Sequence, residues 1–385
     1  MLVRGIELKG SKLMTLKNSS DGRKIRIAFV DVQYNSFYGA QQSMHTLATH
    51  LDKSSFEPIF VTTEEGVLSE QFRASGIPTQ ILPISPLVNV FGHKVVQYSL
   101  IKKIRVAFEL IKFNLKFARW LKSNNVDVVY ANDARAIAYI GVGTKLKKVP
   151  LVWYVKGVWR TGILFRIGLI LSDKIILIAE SIKKAFTTKE LERYERKMGM
   201  LYLGFDFGPI NSNDKNLLKR EVGIPQSCQI VGLVGSINPN KGYHILIESA
   251  THILAQNPNV HFLLVGDVPE GYDSYYKELL NRIDKLGLTS YFHWTGFVRD
   301  VNRYYSMMDV LVLPSYSEGL PGVLIEGLFY GLPVVATDVG GVREIIVDDV
   351  LGSVIDVGNA SQLADEIIKY LSCDNNENKK KRHEY

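Results

Sequence analysis

Short apolar runs alternate with segments of helical periodicity along most of this chain, and that alternation restricts its fold more than any other sequence feature. In the first half, apolar runs at 25–31, Phe56–Thr62 and Leu151–Val155 are separated by stretches whose apolar residues recur every three or four positions. Such runs are typical of parallel strands in sheets that helices cover on both faces. The pattern predicts an α/β fold.

The second half repeats the alternation after a stretch rich in glycine, proline and asparagine at 203–216. The main predicted segments of this half are strands at 230–235, 261–266 and 310–313, and helices at 243–257, 275–286 and 323–330. Two such sets predict two doubly wound, Rossmann-like domains that face an interdomain cleft. Ligands of such sheets bind beyond the carboxyl ends of the strands.

The length of 385 residues agrees with about two domains. We place an N-terminal extension at 1–24, a first domain at 25–208, a second domain at 209–372 and a polar, basic tail at 373–385. The two cysteines exclude a disulfide scaffold. The first 24 residues lack the apolar stretch of a secretory signal, and the chain lacks a long uninterrupted apolar run. We therefore expect a cytoplasmic protein.

The formal net charge of +7 is concentrated in one segment. Residues 94–122 contain a single acid, Glu109, and many lysines and arginines: Lys94, Lys102, Lys103, Arg105, Lys112, Lys116, Arg119 and Lys122. Apolar residues recur at helical spacing between them, at Ile101, Ile104, Phe108, Ile111 and Leu115. The segment is either an amphipathic helix on an anionic membrane surface or a core-facing helix with a solvated basic face. Because no nucleic-acid-binding motif accompanies the charge, nucleic acid is not an expected partner.

The densest motif lies between residues 314 and 341. A predicted buried strand ends at Pro314, a loop contains Glu318, and a predicted helix begins near Gly322 and includes Glu326. Backbone N–H groups at a helix start attract anions, and glycines let a phosphate approach closely. A carboxylate beside such a phosphate site suits the hydroxyls of a sugar or ribose. The alternative is that these glutamates are capping or solvated charges.

Within this frame, which continues as Gly-Leu-Pro-Val-Val-Ala-Thr-Asp-Val-Gly-Gly at 331–341, Glu318 and Glu326 are separated by seven residues. The whole motif resembles that of the family 4 retaining glycosyltransferases, which have the GT-B fold. The resemblance is strong over 231–371 and looser over 25–206. It implies an enzyme that moves a sugar from a nucleotide diphosphate sugar to an acceptor hydroxyl. It also implies that the nucleotide sugar is the co-substrate and that no metal cofactor is needed.

The resemblance assigns roles to residues of the second half. Glu318 would be a catalytic residue that holds hydroxyls of the donor sugar, and Glu326 would bind the ribose. The main chain would hold the diphosphate along Gly319, Leu320, Pro321 and Gly322. The segment 235–242 resembles the family's Gly-Arg…Lys-Gly loop, in which Lys241 would neutralise the diphosphate leaving group. The alternative for Lys241 is a solvated loop lysine.

Three further positions follow from the same resemblance. Gly39 corresponds to the family's N-terminal glycine loop against the phosphates; the alternative is an ordinary glycine at a helix start. The 296–298 turn, with Val298, would lie near the nucleotide base. Lys156 stands where the family has a histidine near the donor sugar, and it either contacts the sugar or diphosphate or is simply solvated.

The chain also departs from the family pattern. Ser236 replaces the expected arginine, so one positive charge on the diphosphate is missing. The family usually continues with more helical sequence than is present here, and the polar tail is expected to be disordered. No Asp-x-Asp motif occurs, and His244 and His252 are expected at the surface of a helix rather than in a metal site.

The resulting hypothesis is a retaining glycosyltransferase of surface polysaccharide or glycolipid synthesis, with a lipid-linked or saccharide acceptor. A UDP-sugar is the favoured donor and a GDP-sugar the next. The protein would be cytoplasmic and peripheral on the inner face of the membrane. Two alternatives remain: another GT-B enzyme, such as a glycogen-synthase-like polymerase or a nucleotide-sugar epimerase, and a catalytically weak nucleotide-sugar-binding or regulatory partner.

Overall fold

A computed structural model describes residues 23–32, 35, 37–88, 98–157, 162–205, 207, 215–298, 300–373 and 376–384. Most of the predicted N-terminal extension, residues 1–22, lies outside these ranges. Lys94 also lies outside them, as do residues 206 and 208–214 of the 203–216 connection, which include the predicted domain boundary at 208–209.

The chain divides into two compact units. The first unit comprises residues 1–178 and 182–205, and the second comprises residues 179–181 and 206–385. Each unit contains one parallel sheet with helices on both sides. The predicted α/β class with two doubly wound, Rossmann-like sheets is therefore confirmed.

The described residues of the first unit form a sheet of seven strands. The strands are β1 (Ile25–Val30), β2 (Phe56–Thr62), β3 (Thr79–Ile81), β4 (Val128–Ala131), β5 (Leu151–Val155), β6 (Lys174–Leu177) and β7 (Met198–Met200). Their order is β3-β2-β1-β4-β5-β6-β7, and each pair of neighbours is parallel. The order reverses between β1 and β4, so the carboxyl ends of these two strands flank the switch point of the sheet.

Helices connect these strands as the apolar periodicity predicts. They are α1 (Gly39–Thr49), α2 (Val67–Ala74), α3 (Leu100–Ser123), α4 (Ala134–Leu146), α5 (Gly162–Leu171) and α6 (Thr188–Tyr194). The Ser99 hydroxyl accepts a hydrogen bond from the Lys102 amide and starts α3, and the Asp133 carboxylate starts α4 in the same way. Helix α4 packs between α3 and α5, so the three helices form one layer.

The core of the first unit lies between the sheet and its helices. All residues of β4 and β5 are buried, as expected for central parallel strands. On the other side of the sheet, the rings of Phe60 and Phe72 stack with centroids 4.0 Å apart. Burial of such a side chain contributes about 1.5–3 kcal/mol to the free energy of unfolding.

The second unit contains a six-stranded sheet in the part of the chain that the structure describes. Its strands are β8 (Gln229–Val234), β9 (Val260–Val265), β10 (Phe292–Trp294), β11 (Val310–Leu313), β12 (Val334–Thr337) and β13 (Gly352–Ile355). Their order is β10-β9-β8-β11-β12-β13, and the paired strands are parallel. The switch point lies between β8 and β11, so the loops that follow these strands are the expected ligand-binding loops.

The helices of the second unit cover both faces of this sheet. They are α7 (Lys215–Glu221), α8 (Tyr243–Gln256), α9 (Asp273–Lys285), α10 (Asn302–Tyr305), α11 (Gly322–Phe329), α12 (Val342–Ile345), α13 (Ala360–Cys373) and α14 (Asn376–Glu384). Regular helix between β10 and β11 is limited to the four residues of α10. Within the described residues, no helix is both long enough and apolar enough to cross a bilayer.

The prediction of a disordered tail is wrong for residues 376–384, which form α14 against α11. Arg382 on this helix is only 1% exposed. Its guanidinium donates hydrogen bonds to the carbonyl oxygens of Gly331 at 2.8 Å and Val350 at 2.9 Å. Hydrogen bonds from Arg382, rather than a stripe of apolar residues, anchor this helix. Its polar sequence therefore contains no apolar periodicity from which a helix could be predicted.

Candidate active site

The loops that follow β8 and β11 are held together at the switch point of the second sheet. The Asn240 side chain donates a hydrogen bond to the carbonyl oxygen of Ser317 at 2.8 Å. In the opposite direction, the Tyr316 amide donates to the carbonyl oxygen of Asn240, also at 2.8 Å. These bonds fix the segment that contains Lys241 against the segment that contains Glu318.

Two glycines allow this close approach. Gly242 has a φ of 68°, and a Cβ atom at this position would lie 1.9 Å from the carbonyl oxygen of Pro314. Gly340 has a φ of 55°, and a Cβ atom there would lie 2.3 Å from the carbonyl oxygen of Glu318. Both positions therefore require glycine for conformation and for space. The second contact packs the loop after β12 directly against the main chain of Glu318.

The two predicted catalytic side chains meet in this structure. The Lys241 ammonium nitrogen Nζ lies 2.7 Å from Oε1 of Glu318. The side chain of Lys241 is 22% exposed and that of Glu318 is 12% exposed. An ion pair this sheltered is screened less by solvent than a surface pair. A cation and a carboxylate are thus fixed side by side at the carboxyl ends of the parallel strands.

The main chain after Glu318 leads directly into α11. Gly322 is the first residue of that helix, and Pro321 precedes it without a capping side chain from the described residues. The free N–H groups of the first turn carry a partial positive charge. Proline has no N–H group, so Pro321 cannot contribute a donor to the predicted amide cradle. The Leu324 amide donates to the carbonyl oxygen of Pro321 at 3.1 Å, so the amides proposed for an anion are those of Gly319, Leu320, Gly322 and Val323.

Glu326 lies one turn further along α11, on the same face as Gly322. The hydroxyl group of Tyr305, a fully buried residue, donates a hydrogen bond to Oε2 of Glu326 at 2.5 Å. Burial raises the pKa of Glu326 above its ordinary value, and the hydrogen bond from Tyr305 acts in the opposite direction. Tyr305 therefore orients a carboxylate that is shielded from bulk water.

Ser236 occupies the position of the expected arginine, and its hydroxyl is part of the loop's own hydrogen bonding. The Asn238 side chain donates to Oγ of Ser236 at 2.9 Å, and its own oxygen accepts from the Asn240 amide at 3.0 Å. This asparagine shapes the loop. Lys241 is the cation that the 235–242 segment supplies.

The 296–298 turn, which contains Val298, is linked to the start of that segment through Gly296 and Gly266. Gly296 forms an antiparallel bridge with Gly266. A Cβ atom on Gly266 would lie 2.0 Å from the carbonyl oxygen of Gly235, so the main chains of Gly266 and Gly235 are in close contact. The 296–298 turn is thereby placed at the carboxyl ends of β8 and β9. Contact between Val298 and a nucleotide base stays a prediction.

His244 has a more defined environment than an ordinary surface histidine. Its ring is half-buried, whereas His252 on the same helix is exposed. Nδ1 of His244 lies 2.9 Å from the hydroxyl of Tyr275, and Nε2 lies 3.0 Å from the hydroxyl of Tyr316. Burial lowers the pKa of His244. Because Tyr316 precedes Glu318 by two residues, His244 helps to position the Glu318 loop.

In the first unit, Lys156 is bonded to neighbouring main chain and side chain at the carboxyl end of β5. Its Nζ donates to Oδ1 of Asn132 and to the carbonyl oxygen of Ala40, each at 2.7 Å. Asn132 in turn donates to Oδ2 of the buried Asp31 at 2.6 Å. These contacts contradict the alternative of a simply solvated lysine. Its contact with the sugar or the diphosphate stays a prediction.

The environment of Lys156 changes its titration. Burial lowers the pKa of Lys156 to about 7, although Asp31 and Asp133 act in the opposite direction. An ordinary lysine has a value of 10.5. The ammonium group therefore loses its proton much more readily than an exposed lysine does.

Gly39 is the first residue of α1 and precedes Ala40, whose carbonyl oxygen Lys156 binds. A Cβ atom at Gly39 would meet no atom within 4 Å, and its φ does not lie in the left-handed region. The local fold therefore does not require glycine at this position. Its role against the phosphates stays a prediction. Among the described residues, no three His, Cys, Asp or Glu side chains come close enough to hold a metal ion.

Comparison with known families finds two matches along the chain. The family model described as "Glycosyl transferases group 1" matches residues 214–385. The model described as "Glycosyltransferase Family 4" matches residues 37–204. The two matches together include all the candidate site residues described above.

Curated relatives are also glycosyltransferases. The chain is 25% identical to the N-acetyl-alpha-D-glucosaminyl L-malate synthase of Bacillus anthracis over 78% of this chain and 79% of that protein. It is 27% identical to the capsular polysaccharide biosynthesis glycosyltransferase CapM of Staphylococcus aureus over 54% of each chain. In the latter case the chain spans about half the length of the relative.

Solved structures share the fold. The structure of Anabaena Alr3699/HepE in complex with UDP superimposes with a TM-score of 0.75, at 23% sequence identity, over 93% of both chains. The structure of the same protein with UDP-glucose gives a TM-score of 0.74 over the same shares. Both likenesses cover nearly the whole of this chain.

Proposed function

This chain belongs to the family 4 glycosyltransferases and has the GT-B fold, and from that premise we propose that it transfers a sugar from a nucleotide diphosphate sugar to an acceptor hydroxyl with retention of anomeric configuration. The observation that carries the proposal is the contact of Lys241 with Glu318 at 2.7 Å, next to the start of α11. A cation, a carboxylate and free amides in one place suit a glycosyl diphosphate.

The diphosphate is bound by Lys241 and by the main chain that leads into α11. As the glycosidic bond breaks, negative charge develops on the leaving phosphate. An ammonium group and oriented N–H donors that are already in place stabilise this charge without reorganisation. Since Ser236 supplies no cation, Lys241 carries more of this stabilisation than it would beside an arginine.

The two glutamates orient the carbohydrate parts of the donor. Glu318 accepts hydrogen bonds from hydroxyls of the donor sugar and keeps Lys241 directed at the phosphates. Glu326 accepts hydrogen bonds from the ribose, and Tyr305 fixes the orientation of its carboxylate through Oε2. Each carboxylate thus binds hydroxyl groups, and neither acts as a nucleophile.

Retention needs no covalent enzyme intermediate in this mechanism. The acceptor hydroxyl attacks the anomeric carbon on the face that the diphosphate leaves, and the bond from that carbon to the phosphate oxygen breaks. The leaving phosphate takes the proton of the acceptor. The ion pair of Glu318 with Lys241 supports a mechanism in which Glu318 is not the nucleophile, because its carboxylate is already bonded to a cation.

A UDP-sugar is the proposed donor, and a GDP-sugar is the alternative. The fold likeness to a protein solved with UDP and with UDP-glucose supports the first choice. The proposed setting is surface polysaccharide or glycolipid synthesis, with a lipid-linked or saccharide acceptor. The relative in capsular polysaccharide biosynthesis supports this setting. We place the protein on the inner face of the membrane as a peripheral protein.

The test begins with a thermal-shift screen of the purified chain against UDP- and GDP-sugars. A ligand that binds only the folded state raises the melting temperature by mass action. The proposal predicts a shift with a UDP-sugar, transfer to an acceptor, and a product with the anomeric configuration of the donor by NMR. Inversion of the configuration, or no shift with any nucleotide sugar, would contradict it.

Two sequence features favour a second function, that of a nucleotide-sugar-binding partner with little catalysis. Ser236 leaves the diphosphate with one cation fewer, and Lys156 replaces a histidine. This function predicts a thermal shift with a nucleotide sugar but no turnover with any acceptor or with water. Restoration of turnover by Ser236→Arg would then identify the missing charge as the reason.

A further inference from the structure

The outer surface of the α3–α4–α5 layer in the first unit is unusually apolar. Ten of the large apolar side chains that the described part of the chain leaves exposed lie on these three helices: Leu100, Ile101, Ile104, Phe108, Ile111 and Leu115 on α3, Val142 and Leu146 on α4, and Ile163 and Ile170 on α5. Ile101 is 69% exposed and Ile163 is 74% exposed. We call this surface the apolar face.

The apolar face is continuous from α3 to α4. The amide of Gly143 on α4 donates to Oδ1 of Asn114 on α3 at 2.8 Å, and a Cβ atom on Gly143 would lie 2.3 Å from the Asn114 carbonyl oxygen. On α3, Asn114 is the helical neighbour of Ile111. On α4, Gly143 directly follows Val142. The exposed side chains of the two helices therefore border the same close contact.

The apolar face also continues from α4 to α5. A Cβ atom on Gly141 would lie 2.6 Å from Cδ1 of Leu171, so the two helices touch at this point. Val142 follows Gly141, and Ile170 precedes Leu171. Both are exposed next to the contact. Monomeric proteins rarely expose large contiguous apolar surfaces, and such surfaces mark interaction sites.

The charges around the apolar face are almost all positive. Helix α3 carries seven cationic side chains, and its one acid is Glu109: the cations are Lys102, Lys103, Arg105, Lys112, Lys116, Arg119 and Lys122. Helices α4 and α5 contain Arg135, Lys145 and Arg166 and no acidic residue. Arg105, Lys112, Lys116 and Arg119 follow one flank of the α3 apolar stripe, since they recur at helical spacing.

We propose that the apolar face docks on a bilayer that contains anionic lipids, with the three helices lying in the plane of the headgroups. The inference deepens the peripheral membrane location in the proposed function and rests on it. Apolar side chains enter the boundary between headgroups and acyl chains, while the flanking cations bind lipid phosphates. Three of these cations pair with nearby acids: Lys112 with Glu109, Arg135 with Asp133 and Lys145 with Asp173. Because the cations of α3 still outnumber its one acid, a symmetric contact with a second copy would bring like charges together.

The test is co-sedimentation of the full chain with vesicles. One set consists of phosphatidylcholine, and the other of phosphatidylcholine mixed with phosphatidylglycerol. We expect binding to the anionic set that weakens with salt. A stripe variant, Ile104→Ser with Phe108→Ser and Ile111→Ser, should bind at least tenfold more weakly. A charge variant, Arg105→Gln with Arg119→Gln, should lose about fivefold per removed cation.

Matched controls lie on the second unit. Leu280→Ser with Leu286→Ser removes exposed apolar side chains there, and Lys277→Gln with Lys285→Gln removes exposed cations. Both controls should bind vesicles like the wild type. Equal binding to both vesicle sets, or a stripe variant that binds like the wild type, would overturn the proposal. A wild-type dimer that the stripe variant dissociates, without vesicle binding, would show instead that a second copy covers the face.

The thermal shift with UDP separates this inference from the proposed function. The stripe and charge variants leave the second unit intact, so UDP should shift their melting temperatures as much as that of the wild type. If vesicle binding fails while the UDP shift remains, the docking proposal alone is wrong. If the wild type binds vesicles but shows no shift with any nucleotide, the proposed sugar transfer is wrong, whereas the peripheral membrane location and the docking inference that rests on it stand.

Discussion

Lys241 and Glu318 form a sheltered ion pair, with Nζ 2.7 Å from Oε1, although 77 residues separate them in the sequence. The pair lies where β8 and β11, the two strands at the switch point of the second sheet, reach their carboxyl ends. Each partner thus holds the other in place before a donor binds. Preorganisation of this kind is what electrostatic catalysis of a leaving diphosphate requires.

Removal of either partner should reduce transfer strongly. We expect Lys241→Ala to lower kcat by about 10²–10³-fold, since a preorganised charge that stabilises the leaving group contributes on this scale. Glu318→Gln should lower kcat by a similar factor. The double variant should lose much less than the product of the two losses, because the two side chains act as one unit. Steady-state kinetics of the four proteins measures the coupling, and full additivity would show that the pair is not a functional unit.

Nucleotide affinity should depend on the Tyr305–Glu326 pair. Tyr305→Phe removes the hydrogen bond to Oε2 and should weaken UDP binding by roughly tenfold, whereas Glu326→Gln should weaken it further. Because burial raises the pKa of Glu326, its carboxylate is protonated at a higher pH than an exposed glutamate. UDP affinity should therefore fall on acidification, and the fall should be absent in Glu326→Gln. Calorimetric titration at several pH values measures both effects; an identical pH profile in the variant would refute the assignment.

The stability contributed by Lys156 should depend on pH. Its pKa is about 7 in the folded chain and 10.5 for an ordinary lysine, so the unfolded chain binds more protons between these values. The free energy of unfolding of the wild type, relative to Lys156→Met, should therefore rise from pH 7 toward pH 10.5 and stay constant below pH 7. Urea denaturation of both proteins across this range is the measurement. A constant difference throughout would mean that Lys156 titrates like an exposed lysine.

A pair of matched glycines tests the close approach of the donor loops. Gly242 and Gly287 have nearly the same φ, 68° and 69°, but a Cβ atom on Gly287 would meet nothing within 4 Å. Gly287→Ala should cost only the left-handed strain, about 1–2 kcal/mol of unfolding free energy. Gly242→Ala should cost roughly 3 kcal/mol or more, because it also collides with the Pro314 carbonyl. Chemical denaturation measures both losses of unfolding free energy. Equal losses would show that the loop containing Gly242 can move away from Pro314 without further cost.

The anchoring of α14 should be visible in stability. Arg382→Met leaves the carbonyl oxygens of Gly331 and Val350 without their donor and should lower the free energy of unfolding by about 2–4 kcal/mol. The exposed neighbour Lys381, which pairs with Glu377 at the surface, provides the control. Lys381→Met should change stability by less than about 0.5 kcal/mol. Thermal or urea unfolding that ranks the two variants equally would show that the helix is not anchored by Arg382.

Much of the fold could be predicted because the relevant signal is periodic. The apolar runs that became β2, β5 and β11, and the spacing that became α2 and α4, reflect burial in a parallel sheet and its helical layers. The short strand β7 and the helix α14 carry weak or no apolar periodicity, and they were missed. In α14 the stabilising contacts are hydrogen bonds from Arg382 to carbonyls.

Site residues that belong to a sequence motif could be predicted. Residues that join the site through long-range tertiary contacts could not. Glu318, Lys241 and Glu326 were assigned by the resemblance of their motifs to the family 4 glycosyltransferases, and the structure places them in or next to the loops that follow β8 and β11. The support given to the Glu318 loop by His244 joins residues 72 positions apart, and no local pattern indicates it. The same holds for the contact of Lys156 with Ala40, across 116 positions. Such partners become visible only when the sheet brings the strand ends together.

The most direct test of the central claim is calorimetric binding of UDP to the wild type, to Lys241→Ala, and to Lys277→Ala as an exposed-lysine control. The claim is that Lys241 and the start of α11 hold the diphosphate. It predicts at least tenfold weaker UDP binding for Lys241→Ala and an unchanged dissociation constant for Lys277→Ala. It also predicts that uridine alone, which lacks phosphates, binds the wild type and Lys241→Ala equally. Unchanged UDP affinity in Lys241→Ala would contradict the claim.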